Sequence, residues 1–366
     1  MNMKRNILLD DPNLGKVESK YLLECVKTNF VSTAGPFVPE FENKFSEFLS
    51  LSKAVSLQSG TSALHLALIE AGITKGDEVI VPALTFVAPI NAILYVNAKP
   101  VIVDVDINTW NIDPAEILKA ITPKTKAIIP VHLYGNPCAM DEIKQIAKKH
   151  KLIVIEDSTE SLGSKYDGQY TGTIGDFGCF SFNGNKLLTT GGGGMIVARN
   201  AKKLDHIKFL ANQSRDNSKG YYHPEIGFNY RMTNLEAALG LAQLSRINEF
   251  IEKKNVFSKI YKKTIGNINS IKFQQQYPLS KAVLWLTCLS FTTQKGDIFT
   301  IAKKLKLAGI PTRRIFYPTN LLPYLKKYSK KCKNSEQIYK TSLCLPSSTC
   351  NNESSISFVA NKIMEI

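Results

Sequence analysis

From residue 54 to residue 199 the chain alternates short apolar runs with amphipathic stretches, and no other feature narrows the choice of fold as far. The runs 78–81, 100–105, 126–131 and 152–155 are dense in Val and Ile, lack polar alternation, and end at Pro, Asp or a turn residue. Strands buried on both faces of a sheet read this way. Between them, 62–71 stops at Gly72, 113–121 has Asp113 placed to cap and Pro114 in its first turn, and 141–149 follows a helical spacing. Strand followed by helix recurs about four times, which predicts a largely parallel sheet covered by helices. Residues 195–198, after a run of glycines, are expected to close that sheet.

The remainder reads differently. Residues 230–262 suggest one or two long helices, while 268–273 and 290–293 are weak strand candidates and 297–307 a helix. At 366 residues the chain exceeds one ordinary domain. The expected division is a large domain at 1–245, including an N-terminal arm, and a small C-terminal domain at 246–366. A hydrophobic fraction of 44% with 21% charged residues is that of a chain that folds throughout. Lys4 and Arg5 are followed only by the apolar stretch 7–9 before Asp10 and Asp11 interrupt it, so neither a signal peptide nor a bilayer-length run is expected. Seven cysteines, an odd set with no CxxC pair, imply a reducing cytoplasm and no metal site.

A net charge of +15 admits nucleic acid, an acidic membrane surface or a polyanionic substrate. Only seven of the 46 basic residues are Arg, the side chain that reads phosphates and bases in a fork, and no nucleic-acid-binding signature accompanies them. The excess of Lys therefore reads as composition, and a regulatory or nucleic-acid-binding role rests on net charge alone. Residues 303–340 hold eleven Lys and Arg against Glu336, which fits either a solvated surface or a contact to a nucleotide diphosphate.

In open parallel sheets ligands sit beyond the carboxyl ends of the strands, and three loops at such ends stand out. Gln58-Ser59-Gly60-Thr61-Ser62 opens a helix, where free N–H groups and the helix dipole suit a phosphate, although Ser and Thr are also ordinary caps. Glu156-Asp157-Ser158-Thr159-Glu160 follows a strand and carries two adjacent carboxylates. Lys186 lies on a loop that runs into four glycines, Gly191 to Gly194, whose ordering costs entropy that close approach to a bound group would explain. Together these are the parts of a pyridoxal phosphate site.

The segments Ser59-Gly60-Thr61-Ser62-Ala63-Leu64, Ile155-Glu156-Asp157, Gly175-Asp176 through Ser181-Phe182-Asn183-Gly184-Asn185-Lys186, and Gly227-Phe228-Asn229-Tyr230-Arg231-Met232 resemble the DegT/DnrJ/StrS family of nucleotide-sugar aminotransferases. The resemblance runs in order from about residue 15 to residue 348. It implies an α/β fold of the aspartate-aminotransferase type (pyridoxal phosphate fold type I), with a large, mostly parallel sheet domain and a smaller C-terminal α+β domain. It also implies pyridoxal 5'-phosphate as cofactor, a cytoplasmic homodimer with a shared active site, and no nucleic-acid or membrane partner.

Residue by residue, the resemblance makes Lys186 the amine that condenses with the cofactor aldehyde and later shuttles a proton. Asp157 becomes the carboxylate that keeps the pyridine nitrogen protonated. Gly60, Thr61, Ser62 and Ser181 fall to the phosphate. Phe86 falls to the cofactor ring, though a core Phe is an equal reading, and Asn229 to the neighbouring subunit's phosphate. Many members carry Gln where this chain has Glu160. Here either Glu160 is protonated, the ring oxygen carries the proton, or the residue faces something else. His132 reads as a satisfied histidine supporting its loop.

The expected substrates are glutamate and a nucleotide-linked 4-keto-6-deoxy sugar. Asn183 resembles the branch acting at carbon 4 of UDP-linked 2-acetamido sugars, with a turn-forming Asn as the equal reading, and Arg313 and Arg314 are expected at the diphosphate. The alternative within the family is carbon-3 amination of a dTDP-3-keto sugar.

Overall fold

The computed structural model describes residues 7–292 and 297–366; Lys4, Arg5 and Thr293 lie outside the described residues. Two helices come first, α1 (Lys16–Lys27) and α2 (Phe37–Phe48). The chain then alternates as expected: β1 (Val55–Leu57), α3 (Gly60–Glu70), β2 (Glu78–Pro82), α4 (Ala88–Tyr95), β3 (Lys99–Val103), α5 (Pro114–Ala120), β4 (Thr125–Ile128), α6 (Met140–His150) and β5 (Ile153–Asp157). A short hairpin of β6 (Lys165–Tyr166) and β7 (Gln169–Tyr170) precedes β8 (Phe177–Ser181), β9 (Gly194–Ala198) and α7 (Lys202–Ala211).

Seven of these strands form one sheet in the order β1-β9-β8-β5-β4-β2-β3. Pairings from β3 to β8 are parallel, and β9 runs antiparallel to β8 and β1. The strand expected at 195–198 is thus present but sits one place in from the edge, which β1 occupies. Local chemistry sets the helices as anticipated. The Asp113 side chain accepts from the Ala115 N–H at 2.8 Å with Pro114 at the first turn, and α6 places Asp141 and Glu142 at its start and Lys148 to His150 at its end, matching the helix dipole. In α3 residues 62–68 are all buried, so this helix lies inside the main core instead of on it.

Two further helices, α8 (Asn234–Ser245) and α9 (Ile247–Ile265), lead to the second unit. It contains β10 (Ile271–Phe273), β11 (Ser280–Lys281), β12 (Cys288–Phe291), α10 (Ile298–Leu307), β13 (Arg313–Arg314), α11 (Lys333–Thr341), β14 (Ser342–Cys344) and α12 (Glu353–Met364). Its antiparallel sheet runs β10-β12-β14-β13, while β11 joins β6 and β7. α9 serves two cores: Ile247 and Phe250 pack with Phe41, Phe45 and Phe182, whereas Phe257, Tyr261 and Ile265 pack with α12 and the second sheet. Ile7, at the far end of the chain, joins that second core. The protein is therefore an α/β chain with a large, mostly parallel sheet and a smaller antiparallel sheet.

Candidate active site

Successive side chains on a strand point to opposite faces, and β5 separates its two carboxylates accordingly. Glu156 turns away from the strand ends and accepts from the N–H groups of Gly172, Ile174 and Gly175 at 2.8, 2.7 and 2.5 Å. It also takes the Nε2 proton of His132 at 2.9 Å, since His132 Nδ1 accepts from the Cys138 N–H at 3.0 Å. His132 is thus a satisfied structural residue. Asp157 faces a cavity of about 500 Å³ at the carboxyl ends of β5 and β8.

Burial pushes the Asp157 carboxyl above its usual range, and the bonds from Thr159, including its N–H at 3.1 Å, pull it back. A carboxylate in that state gains from a cation beside it. Glu160 lies across the cavity, also buried and also shifted upward by burial, with Lys186 as the strongest opposing influence. Its Oε2 accepts from the Tyr134 N–H at 2.7 Å, and its Oε1 is 3.5 Å from Lys186 Nζ. Lys186 Nζ also sits 4.0 Å from the centre of the Trp285 ring. The loop that carries it is fixed by a 2.6 Å hydrogen bond from Trp285 Nε1 to the Asn185 carbonyl.

Opposite the lysine, the Ser59 side chain caps α3 by accepting from the Ser62 N–H at 3.0 Å. The N–H groups of Gly60 and Thr61 open the helix, where no carbonyl of the helix itself can pair with them. A Cβ on Gly60 would stand 2.9 Å from both Ser181 and Thr159, and one on Gly194 would stand 2.4 Å from the Ser59 backbone. The glycines at these positions are what let three loops converge. At Gly194 the close approach is to the Ser59 turn and not to a bound group. Phe86, 56% exposed, walls the cavity with Phe316, the two rings 5.7 Å apart. Phe86 is a cavity residue, not a core one.

The buried carboxylate aimed into the cavity, the amine opposite it and the helix start lined by glycine fit pyridoxal phosphate. Of the residues expected here, Gly60, Thr61, Phe86, Asp157, Glu160, Ser181, Asn183, Lys186 and Arg313 all line the cavity. Two others do not. The Ser62 side chain is buried in the helix cap, its hydroxyl 2.7 Å from that of Ser59. Arg314 follows Arg313 on β13 and so points to the other face, between the rings of Phe299 and Tyr339. Asn229 is exposed and lies outside the cavity of its own chain.

Sequence reasoning missed Trp285, Tyr134, Phe316 and Asp10. The Tyr134 ring stacks on Trp285 and Phe316 at 6.2 and 5.2 Å, and its hydroxyl accepts from the Phe316 N–H at 3.0 Å. Asp10 accepts from Arg313 at 2.7 Å and Asn185 at 2.9 Å. The interruption of the early apolar run by Asp10 was the one available sign, and it marked only an exclusion.

Residues 12–364 match the DegT/DnrJ/EryC1/StrS aminotransferase family. The GDP-perosamine synthase of Escherichia coli O157:H7 is 44% identical over 326 residues, 87% of each chain. That of Caulobacter vibrioides is 40% identical over 318 residues, 85% of each. Among solved structures, Spr1654 from Streptococcus pneumoniae in its PLP form superposes with a TM-score of 0.92 over 97% of both chains, at 26% identity. Sequence match and cavity chemistry thus agree over nearly the full length, and the chain belongs to the DegT/DnrJ/EryC1/StrS family as a pyridoxal phosphate-dependent sugar aminotransferase.

Proposed function

We propose that the protein moves an amino group from glutamate to the keto carbon of a nucleotide-linked 4-keto-6-deoxy sugar. The observation that carries this reading is the placement of Lys186 Nζ in the cavity, 3.5 Å from Glu160, on the same wall-to-wall space that Asp157 enters. Bound there, pyridoxal phosphate supplies an electron-accepting ring that stores nitrogen between two substrates. Lys186 would hold the cofactor and would take and return the proton at the substrate carbon. Asp157 holds a proton on the ring nitrogen, and its burial makes it gain from that positive charge. The Gly60 and Thr61 N–H groups and the Ser181 hydroxyl take the phosphate. Phe86, Phe316 and Trp285 exclude water from the space between.

Two readings of the nucleotide have support. The relatives named GDP-perosamine synthase favour a guanosine diphosphate carrier. Asn183, which lines the cavity with its amide 3.3 Å from Asn185 Oδ1, is free to meet an acetamido oxygen and supports a UDP-linked 2-acetamido sugar. Incubation of the holoenzyme and glutamate with GDP-, UDP- and dTDP-linked 4-keto and 3-keto sugars, with products read by NMR, separates them. The expected product is a GDP-linked 4-amino sugar. Turnover of a 3-keto compound alone would overturn the carbon-4 reading.

We also infer a homodimer in which Asn229, exposed in one chain, completes the partner's phosphate site.

A further inference from the structure

An aminotransferase uses one cavity for two substrates in turn, and here the two differ in charge at the reacting end. Glutamate brings carboxylates, whereas the sugar ring brings none. Among the described residues lining the cavity only Lys186 and Arg313 are cationic, and Lys186 is committed to the cofactor. Arg313 is therefore the group available to a donor carboxylate. Its guanidinium lies 5.2 Å from the centre of the Trp285 ring, the same ring that Lys186 Nζ approaches to 4.0 Å. Both cations therefore lie against one aromatic ring of the cavity wall. The Arg313 side chain is 34% exposed, so leaving it without a partner when the sugar is bound costs less than full burial would but still favours a carboxylate beside it.

The structure supplies the partner from the start of the chain. Asp10 Oδ2 accepts from Arg313 Nη2 at 2.7 Å, and the Asp10 side chain is only 13% exposed. The pair is joined by one hydrogen bond, not the two of a forked arginine–carboxylate contact, so it is the more easily exchanged form. Asp10 itself cannot wander. Asn185 Nδ2 holds the same oxygen at 2.9 Å, the Leu9 carbonyl accepts from the Ser347 N–H at 2.7 Å, and the Asp11 carbonyl accepts from Ser348 Oγ at 2.7 Å.

We propose that Asp10 is a built-in carboxylate that Arg313 exchanges for a carboxylate of the amino-acid donor. With glutamate in the cavity the guanidinium pairs with substrate while Asp10 keeps the Asn185 amide; with the sugar there the guanidinium returns to Asp10, so the arginine is paired in both states. This rests on the donor being a dicarboxylic amino acid, as proposed above.

The test uses holoenzyme and two probes: maleate, a dicarboxylate that cannot react, titrated calorimetrically, and glutamate, followed by the change in cofactor absorbance. Removing the competing charge in Asp10→Asn is expected to tighten maleate about tenfold and lower the glutamate KM to match, the scale of one charge-assisted hydrogen bond. Asp10→Glu is expected to restore wild-type affinity. Arg313→Gln is expected to weaken maleate at least tenfold and to abolish any effect of Asp10→Asn in the double variant. Damage to the fold only weakens binding, so a gain in affinity separates exchange from scaffolding. Unchanged or weaker maleate binding in Asp10→Asn, or an effect that persists without Arg313, overturns the proposal. Failure of glutamate to change the wild-type spectrum would instead remove the donor assignment.

Discussion

Glu156 and Asp157 are identical in charge and adjacent in sequence, yet one is spent on three backbone N–H groups and the other is turned toward the cavity. Asp157→Asn removes the charge while leaving the phosphate turn intact. The variant is expected to keep cofactor but lose about 10²–10³-fold in turnover. A near-normal rate would show that Asp157 does not face the ring. Borohydride treatment of the yellow holoenzyme is expected to place the label on Lys186, and peptide mapping that finds another lysine would refute the assignment. Lys254 gives a third test. It is buried, donates to the Trp285 carbonyl at 2.7 Å and to that of Ser347, and burial lowers its pKa from 10.5 to about 7. The unfolded chain therefore binds this proton more readily than the folded one across that window. Stability from this group falls as pH drops from about 10 to about 7 and levels off below. Lys254→Met is expected to flatten that slope in urea unfolding compared at about pH 7 and about pH 9, and an unchanged slope would mean the folded lysine is already charged. At this scale the motif residues were legible because their chemistry is local. Which way Arg313 and Arg314 point was not, since a two-residue strand shows no period, and Asp10 gave no hint of a partner 303 residues away.

Among elements, the parallel strands announced themselves because burial on both faces leaves only Val and Ile, and their helices because caps are short-range chemistry. β1 spans three residues, too few for any pattern, and β8, which is not among the strands expected from the sequence, has Gly178 in its middle because a Cβ there would lie 1.9 Å from the Gly172 carbonyl oxygen. Convergence of elements is equally unforgiving at β9. Gly194→Ala would drive its methyl into the Ser59 backbone and is expected to cost about 1–3 kcal/mol of stability and to loosen the phosphate turn. Denaturation midpoints with and without added pyridoxal phosphate measure both effects, and an alanine variant of normal stability and normal cofactor affinity would show that β9 can withdraw.

For the whole molecule, the proposed sharing of the site between two subunits is the inference most open to trial. Neither Lys186→Ala nor a severely impaired Asn229 variant should be active alone. After subunit exchange half the dimers are mixed, each with one intact site, so recovery of up to about a quarter of wild-type activity is expected. No recovery despite proven exchange would assign Asn229 to its own chain. No helix among the described residues is long and apolar enough to cross a membrane.

The arm that carries Asp10 is tied to the far end of the chain: Leu8 and Asn351 exchange hydrogen bonds at 3.0 and 2.7 Å, and the Asn13 side chain donates to the Thr349 carbonyl at 3.1 Å. On the ribosome the first of these segments emerges long before the last. A nascent chain can assemble its large sheet and even hold Lys186 in place while Asp10 still lacks its anchor at residues 347–349. The finished pocket thus needs residues 347–351 as much as it needs the large sheet, and a chain cut before them, however well folded that sheet, leaves Asp10 without the anchors that hold it against Arg313.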